Sequence, residues 1–313
     1  MSEMKETCNK KALNGEKTPW YKDEKKLFYY GLMLFPLLQF CVFYIGVNFQ
    51  SILLAFQKYE NSKFVFLSGD IFDNFKEVFK YFFEYDTLSI ALKNSVILWA
   101  ITVICGTGLA IFFSYYVFKS KTTGRFFRFI LFLPSILPAI LMSIVFELFS
   151  NDVLPVALGW PQLINSTDGA VRLTGVIFYC VFIGFGTQVL LYSNAMEQIS
   201  PSVIEAAQLD GAPPLTELFH IILPEIMPTV CTFMVASIAG AFMNQANQYN
   251  FYGEEAVPET YTLGYYMFII VQNNSKFYGR EYYGFASALG LCCTAVAIPL
   301  TLLFRKFSER FEE

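Results

Sequence analysis

Long apolar runs separated by polar connections organise the chain. A helix needs about 20 mostly apolar residues to cross the hydrocarbon core, and six runs of sufficient length lie near residues 27–56, 88–118, 126–149, 173–196, 222–244 and 283–304. A seventh, from Tyr261 to Val271, has about half that length and reads as an interfacial or re-entrant helix. The pattern predicts an all-α integral membrane protein with six transmembrane helices. It divides into a tail over 1–26, a first helix over 27–56, an outer loop over 57–87, a five-helix core over 88–305 and a tail over 306–313.

The first run is too long for the core of a signal peptide and has no small-residue cleavage site after it, so it is expected to remain as an anchor. The outer loop mixes aromatics with Asp70, Asp73, Glu77, Glu84 and Asp86, and reads either as a small ordered cap or as a wet connector. Pro36, Pro134, Pro138, Pro224, Pro228 and Pro299 fall in or beside the spans. Each removes a backbone donor, and kinks are expected there.

Six crossings return the chain to the side on which it starts. Fourteen of the 22 basic residues fall in segments that are inner when the N-terminus is inside. The short connection with Lys119, Lys121, Arg125 and Arg128 and no acid is the strongest vote, because short loops carry most of the orientation signal. Both termini are therefore expected in the cytoplasm. The connection from Glu197 to Phe219 has no Lys or Arg, which runs against this orientation, yet parity keeps it inside.

Composition agrees with lipid as the main solvent: 55% of residues are hydrophobic and only 15% charged. A net charge of −4 excludes the basic excess that neutralises phosphates, so no nucleic acid is expected as a partner. Cys41, Cys105, Cys180, Cys231, Cys292 and Cys293 lie in apolar runs and Cys8 in a polar tail, which reads as buried hydrophobes rather than a disulfide framework. The single histidine, His220, leaves no zinc site and no Ser/His/Asp or Cys/His constellation. Gly15-Glu16-Lys17-Thr18 lacks the first glycine of a phosphate loop, and Gly106-Thr107-Gly108 lies in an apolar span without a preceding strand. Small residues there suit close helix packing. Neither enzymatic activity nor a cofactor of its own is expected of this chain.

The inner connection over 197–224 carries the strongest signal. Ser200-Pro201 starts a helix, the hydroxyl capping free N–H groups and Pro fitting the first helical position; Ser202 with Glu205 is the alternative start, as a capping box. Gly211 can adopt the left-handed conformation that ends the helix, and Pro213 and Pro214 force a turn before the next one. The outcome is a helix-turn-helix on the cytoplasmic face. Ala206 and Ala207 offer a smooth surface for another backbone, and Val203 and Ile204 present apolar bulk to a groove. An amphipathic helix resting in the headgroup layer is the alternative, weakened by the missing basic residues.

Glu205-Ala206-Ala207, then Gly211 after three residues, then Ile221-x-Leu223-Pro224 after nine more, resembles the EAA signature of bacterial binding-protein-dependent ABC transporter permeases. Asp210-Gly211-Ala212 continues the similarity. Asp73-Asn74-Phe75 with Ala91-Leu92-Lys93-Asn94-Ser95, and Thr260-Tyr261-Thr262-Leu263 with Gly284-Phe285-Ala286-Ser287-Ala288, look like the approaches to the second and sixth spans of the larger, first-type permease of maltose-type sugar importers. The resemblance implies a MetI-like permease fold and a coupling helix around Glu205, Ala206, Ala207, Asp210 and Gly211 that sits in a cleft of a separate ATPase. It implies a heterodimer with a second homologous permease, two copies of a cytoplasmic ATPase that binds ATP and Mg, and an external solute-binding protein. The chain departs from its relatives where they place basic residues after the glycine, having Pro213, Pro214, Glu217 and His220 instead.

Polar groups at membrane depth nominate a solute path. The densest amide cluster is Asn244, Gln245, Asn247, Gln248 and Asn250, with Phe242, Tyr249 and Tyr252 close by; amides and aromatic faces suit hydroxyl-rich ligands such as sugars. Asn and Gln are also common at the wet end of any span. Gln188, Ser143 and Glu147 are lesser candidates. Small-xxx-small pairs, Ala236 with Gly240 and Ser237 with Ala241, predict close packing of the fifth helix. The reading that results is an ATP-driven importer permease for a carbohydrate or related polar solute, multi-pass in the bacterial cell membrane. The alternative is an ion-driven secondary transporter, against which stand the absence of a repeat and the presence of only one acid, Glu147, near a span interior.

Overall fold

The computed structural model describes residues 24–60, 63–67, 69–120, 123–277 and 282–309. Most of the 1–26 tail, with Cys8 and Gly15–Thr18, lies outside these residues, as do Lys121 and 310–313. Six helices are long and apolar enough to cross a membrane: α1 (Phe28–Leu54), α3 (Asp86–Lys119), α5 (Ala139–Leu158), α6 (Gly169–Met196), α8 (Pro214–Gly240) and α11 (Tyr283–Ser308). The first, α1, is a unit of its own, and the chain from Ala55 onward forms a second.

The outer loop is an ordered cap. Strands β1 (Gln57–Glu60) and β2 (Lys63–Phe66) pair antiparallel with Gln57 opposite Phe66, and helix α2 (Asp73–Glu84) follows. Asn74 is buried, and its Nδ2 donates to the carbonyls of Ala55 (2.8 Å) and Gln57 (3.0 Å), which ties α2 to the start of the hairpin.

At the centre of the bundle α6 runs unbroken for 28 residues. Ser114 Oγ donates to the Val189 carbonyl (3.0 Å), joining α3 to α6 inside a cluster of Ala110, Val189, Tyr192, Met196, Ile222 and Ile226. A polar side chain in such a place is tolerated because its donor is satisfied. On the side away from the bundle's interior, Ile104 (73% exposed) and Leu303 (67%) present apolar surface outward.

The third crossing corrects the expectation of one span over 126–149. It consists of α4 (Thr123–Ile136) and α5, broken at Leu137–Pro138, where Pro138 takes extended ψ of 135°. Both halves run antiparallel along α6: Arg128 pairs with Glu197, Gly186 lies against the Leu131 backbone, and Ser143 Oγ is 3.2 Å from the Tyr179 hydroxyl. The crossing therefore reaches Leu158. Pro36, Pro134, Pro228 and Pro299 are accommodated inside helices, so of the expected kinks only that at Pro138 is a break.

Two further boundaries differ. The fifth crossing begins at Pro214 and ends at Gly240 rather than at 244, and the chain then makes turns before the short α9 (Gln248–Tyr252). The seventh apolar run is α10 (Leu263–Phe277), shorter than a span as expected. Its start is fastened to α3: Asn94 Nδ2 donates to the carbonyls of Glu259 (2.8 Å) and Tyr261 (3.0 Å), and Ser95 Oγ accepts the Leu263 N–H (2.7 Å).

Candidate functional site

Helix α7 (Pro201–Leu209) follows α6 after a short turn. It starts at Pro201, as the sequence predicts, but neither Ser200 nor Ser202 caps a backbone N–H; the two hydroxyls face each other at 2.8 Å and Val203 N–H donates to the Ser200 carbonyl instead. The end is as expected. Gly211 sits at φ +68°, Ala212 N–H donates to the Ala207 carbonyl (3.1 Å) and Gly211 N–H to that of Gln208 (3.2 Å), the paired bonds of a Schellman stop.

Glu205, Ala206, Gln208 and Asp210 are exposed on this helix, and Leu209 is 89% exposed. Ala207 is buried and Ile204 packs on the bundle's own core, which corrects the expectation that Ile204 and both alanines face a partner groove. The free apolar surface comes from Leu209, Leu215 and Phe219. These side chains have no cover among the described residues of the chain itself.

Basic residues absent from this connection arrive in space from α3 and α4. A cavity of about 790 Å³ lies between α7 and the ends of those helices, lined among others by Lys119, Arg125, Arg128, Glu197 and Glu205. Arg128 binds Glu197, and its Nη1 donates to Asn194 Oδ1 at 3.3 Å. Lys119 Nζ lies 2.6 Å from Glu217 Oε1, and the Tyr115 hydroxyl donates to Glu217 Oε2 at 3.3 Å. Glu217, at the end of the first turn of α8, is almost fully buried by this grip. A lone acid in a connection reads as solvated, and no feature of the sequence pairs it with Lys119.

At membrane depth the structure sorts the amide candidates. Gln188 and Asn244 line one cavity of about 440 Å³ between α3, α6 and α8, together with Trp99, Thr102, Ser237 and Gly240. Gln188 Oε1 points into the bundle without a protein donor, on the side of Gly106. Trp99 Nε1 donates to Ser237 Oγ (3.2 Å), leaving its ring at the cavity wall. An indole face and two amides are groups that can bind a polyol, whereas the Thr102 and Ser237 hydroxyls donate to the carbonyls of Leu98 and Met234 (2.7 Å each). Trp99, Thr102 and Ser237 were not singled out from sequence as path residues, because a tryptophan or hydroxyl in an apolar run carries no positional signal by itself. Gly240 opens on this space instead of a neighbouring helix, contrary to the packing expected of its small-xxx-small pair.

The remaining candidates are placed elsewhere. Gln248 is fully buried, its amide donating to the Thr260 carbonyl and accepting from Thr262 N–H (3.1 Å) and Oγ1 (3.2 Å), so it braces a loop and faces no open space. Asn247 takes a left-handed φ of 55° and accepts from Asn250; Gln245 is half-buried in the same turn. The Tyr249 ring packs on Phe268, and Phe242 joins the core around Leu263. Tyr252 donates to the Ile164 carbonyl (3.2 Å), and burial pushes its phenol well above the ordinary value, keeping it a donor. Glu147 accepts from Asn165 (3.2 Å) in the connection before α6, and Ser143 is buried against Tyr179. Among the described residues no group of three metal-ligating side chains occurs.

Residues 103–313 match the family described as binding-protein-dependent transport system inner membrane component. The chain belongs to this family. The permease is 23% identical over 293 residues to the probable ABC transporter permease protein YurN of Bacillus subtilis, covering 90% of this chain and 96% of that one. It is 24% identical over 202 residues to the multiple sugar-binding transport system permease protein MsmF of Streptococcus mutans (62% and 67% covered). It is 25% identical over 229 residues to the arabinooligosaccharides transport system permease protein AraP of Halalkalibacterium halodurans (70% of each). Its fold superposes with TM-score 0.75 and 19% identity on a chain of a bacterial alginate ABC transporter crystallised with a pentasaccharide-bound periplasmic protein, covering 94% of this chain and 98% of that one. The permease is a multi-pass membrane transport subunit of the predicted fold.

Proposed function

We propose that the permease is one half of the membrane channel of an ATP-driven importer for a carbohydrate, from mono- to oligosaccharide in size. The observation that carries this reading is α7: a short helix stopped by a left-handed Gly211, with Glu205, Ala206, Asp210 and Leu209 free, in a chain of this family. The proposed assembly is a heterodimer with a second homologous permease, two copies of a cytoplasmic ATPase that supplies the ATP and Mg site, and an extracytoplasmic solute-binding protein. In it α7 is the coupling helix, both termini are cytoplasmic, and the sugar passes by Gln188, Asn244 and Trp99. The sugar class is supported by the names of MsmF and AraP and by the polyol-binding chemistry of the cavity wall.

Co-purification tests the coupling role. An ATPase recovered with the solubilised wild type, and lost with Glu205→Lys or Gly211→Asp, is the expected result; an ATPase retained by both variants overturns it.

A further inference from the structure

Helix α2 has three sectors where an ordinary surface helix has two. Asn74 and Val78 are buried against the bundle. Asp73, Lys76, Glu77, Lys80 and Glu84 form a charged sector. Between these, Phe72 at its N-terminus, Phe79 and Phe83 make one stripe at helical spacing, 58%, 57% and 81% exposed. Three bare phenylalanines in line are expensive in water.

Its placement says what covers them. Helix α2 ends one residue before α3, the second crossing, begins, with Tyr85 the extended link. It also lies across the end of α11: Asn74 and Tyr81, about 10 Å apart along α2, meet the adjacent residues Gly284 and Phe285. A helix across the spans, at the level where one of them enters the bilayer, lies in the plane of the membrane surface. This is the face opposite α7, because α3 ends beside it at Lys119.

We infer that α2 is an interfacial helix, with Phe72, Phe79 and Phe83 inserted at the acyl boundary of the phospholipid bilayer and the charged sector in water, so that it fixes the depth of α3. Charge supplies none of the attraction. Lys76 is paired with Asp70 and Lys80 with Glu84 (3.8 Å), leaving no free basic cluster for anionic headgroups.

The test places p-benzoylphenylalanine in the full-length chain at Phe79, Phe83 or, as control, Lys80, irradiates membranes of the expressing cells and reads adduct masses. Phospholipid adducts at 79 and 83, several-fold above those at 80, are expected. Adducts to a protein at 79 or 83, or lipid adducts no more frequent than at 80, overturn the assignment. In nanodiscs the yields at 79 and 83 should be equal in pure phosphatidylcholine and in mixtures with phosphatidylglycerol; a requirement for phosphatidylglycerol overturns the apolar mode of insertion. These readouts do not depend on transport.

Discussion

Lys119, the last residue of α3, holds Glu217 at 2.6 Å across a gap of about a hundred positions in sequence, and the carboxylate so held lies in the first turn of α8, the helix that follows α7. Breaking a buried pair leaves an uncompensated charge, which costs about 3–5 kcal/mol when neither partner reaches water. Lys119 is 31% exposed, so Lys119→Met is expected at or below the lower end of that range, about 3 kcal/mol. Glu217→Leu, which removes the buried charge itself, is expected to be milder. The midpoint of thermal unfolding in detergent checks both, and equal midpoints for wild type and Lys119→Met contradict the grip.

Gly211→Ala is expected to loosen α7 without crowding it. A Cβ there meets nothing within 4 Å, so the penalty is the left-handed backbone alone, about 1–2 kcal/mol. Amide exchange over Ala206 to Ala212 should quicken roughly 5–30-fold, while α6 is unchanged. Gly211→Asn should do less, since Asn tolerates this conformation better.

Gly186 and Gly184 lie two residues apart on α6 and should respond oppositely. A Cβ on Gly186 would overlap the Leu131 carbonyl, forcing α4 away, with an expected loss of about 1–3 kcal/mol. Gly184 has open space, and alanine there should be neutral or stabilising by up to about 1 kcal/mol. Unfolding midpoints of the two alanine variants decide it.

Gln248 and Gln188 carry the same chemistry in opposite circumstances. Gln248→Leu strips partners from Thr260 and Thr262, at about 1–3 kcal/mol for each buried group left unpaired. Gln188→Leu removes an acceptor that has no protein donor and should leave stability unchanged or raised. The pair of midpoints tests the sorting of the amides before any solute is known.

Much of this was legible from apolar run length, which located every crossing and the short α10, and from the Pro201–Gly211 punctuation, which bounded α7. Less legible was which proline breaks a helix. Pro134 falls within the last turn of α4, but Pro138 lacks the N–H that the Pro134 carbonyl would need four residues on, so the second proline of the pair starts a new helix. Amides in a cluster look alike until their partners are seen: Gln248 is spoken for by Thr260 and Thr262, whereas Gln188, alone in its run, reaches the cavity. The side chains that satisfy Glu217 come from a helix far away in sequence, beyond the reach of any local pattern.

The interruption at Leu137–Pro138 has a mechanical side. One rod beside it, α6, is continuous for 28 residues, while its neighbour is jointed, the piece before the break clasped through Arg128 and the piece after it through Ser143. Because Pro138 leaves the Pro134 carbonyl without its helical partner, α4 and α5 can change their mutual angle more easily than α6, whose ladder is continuous, can bend at the same level.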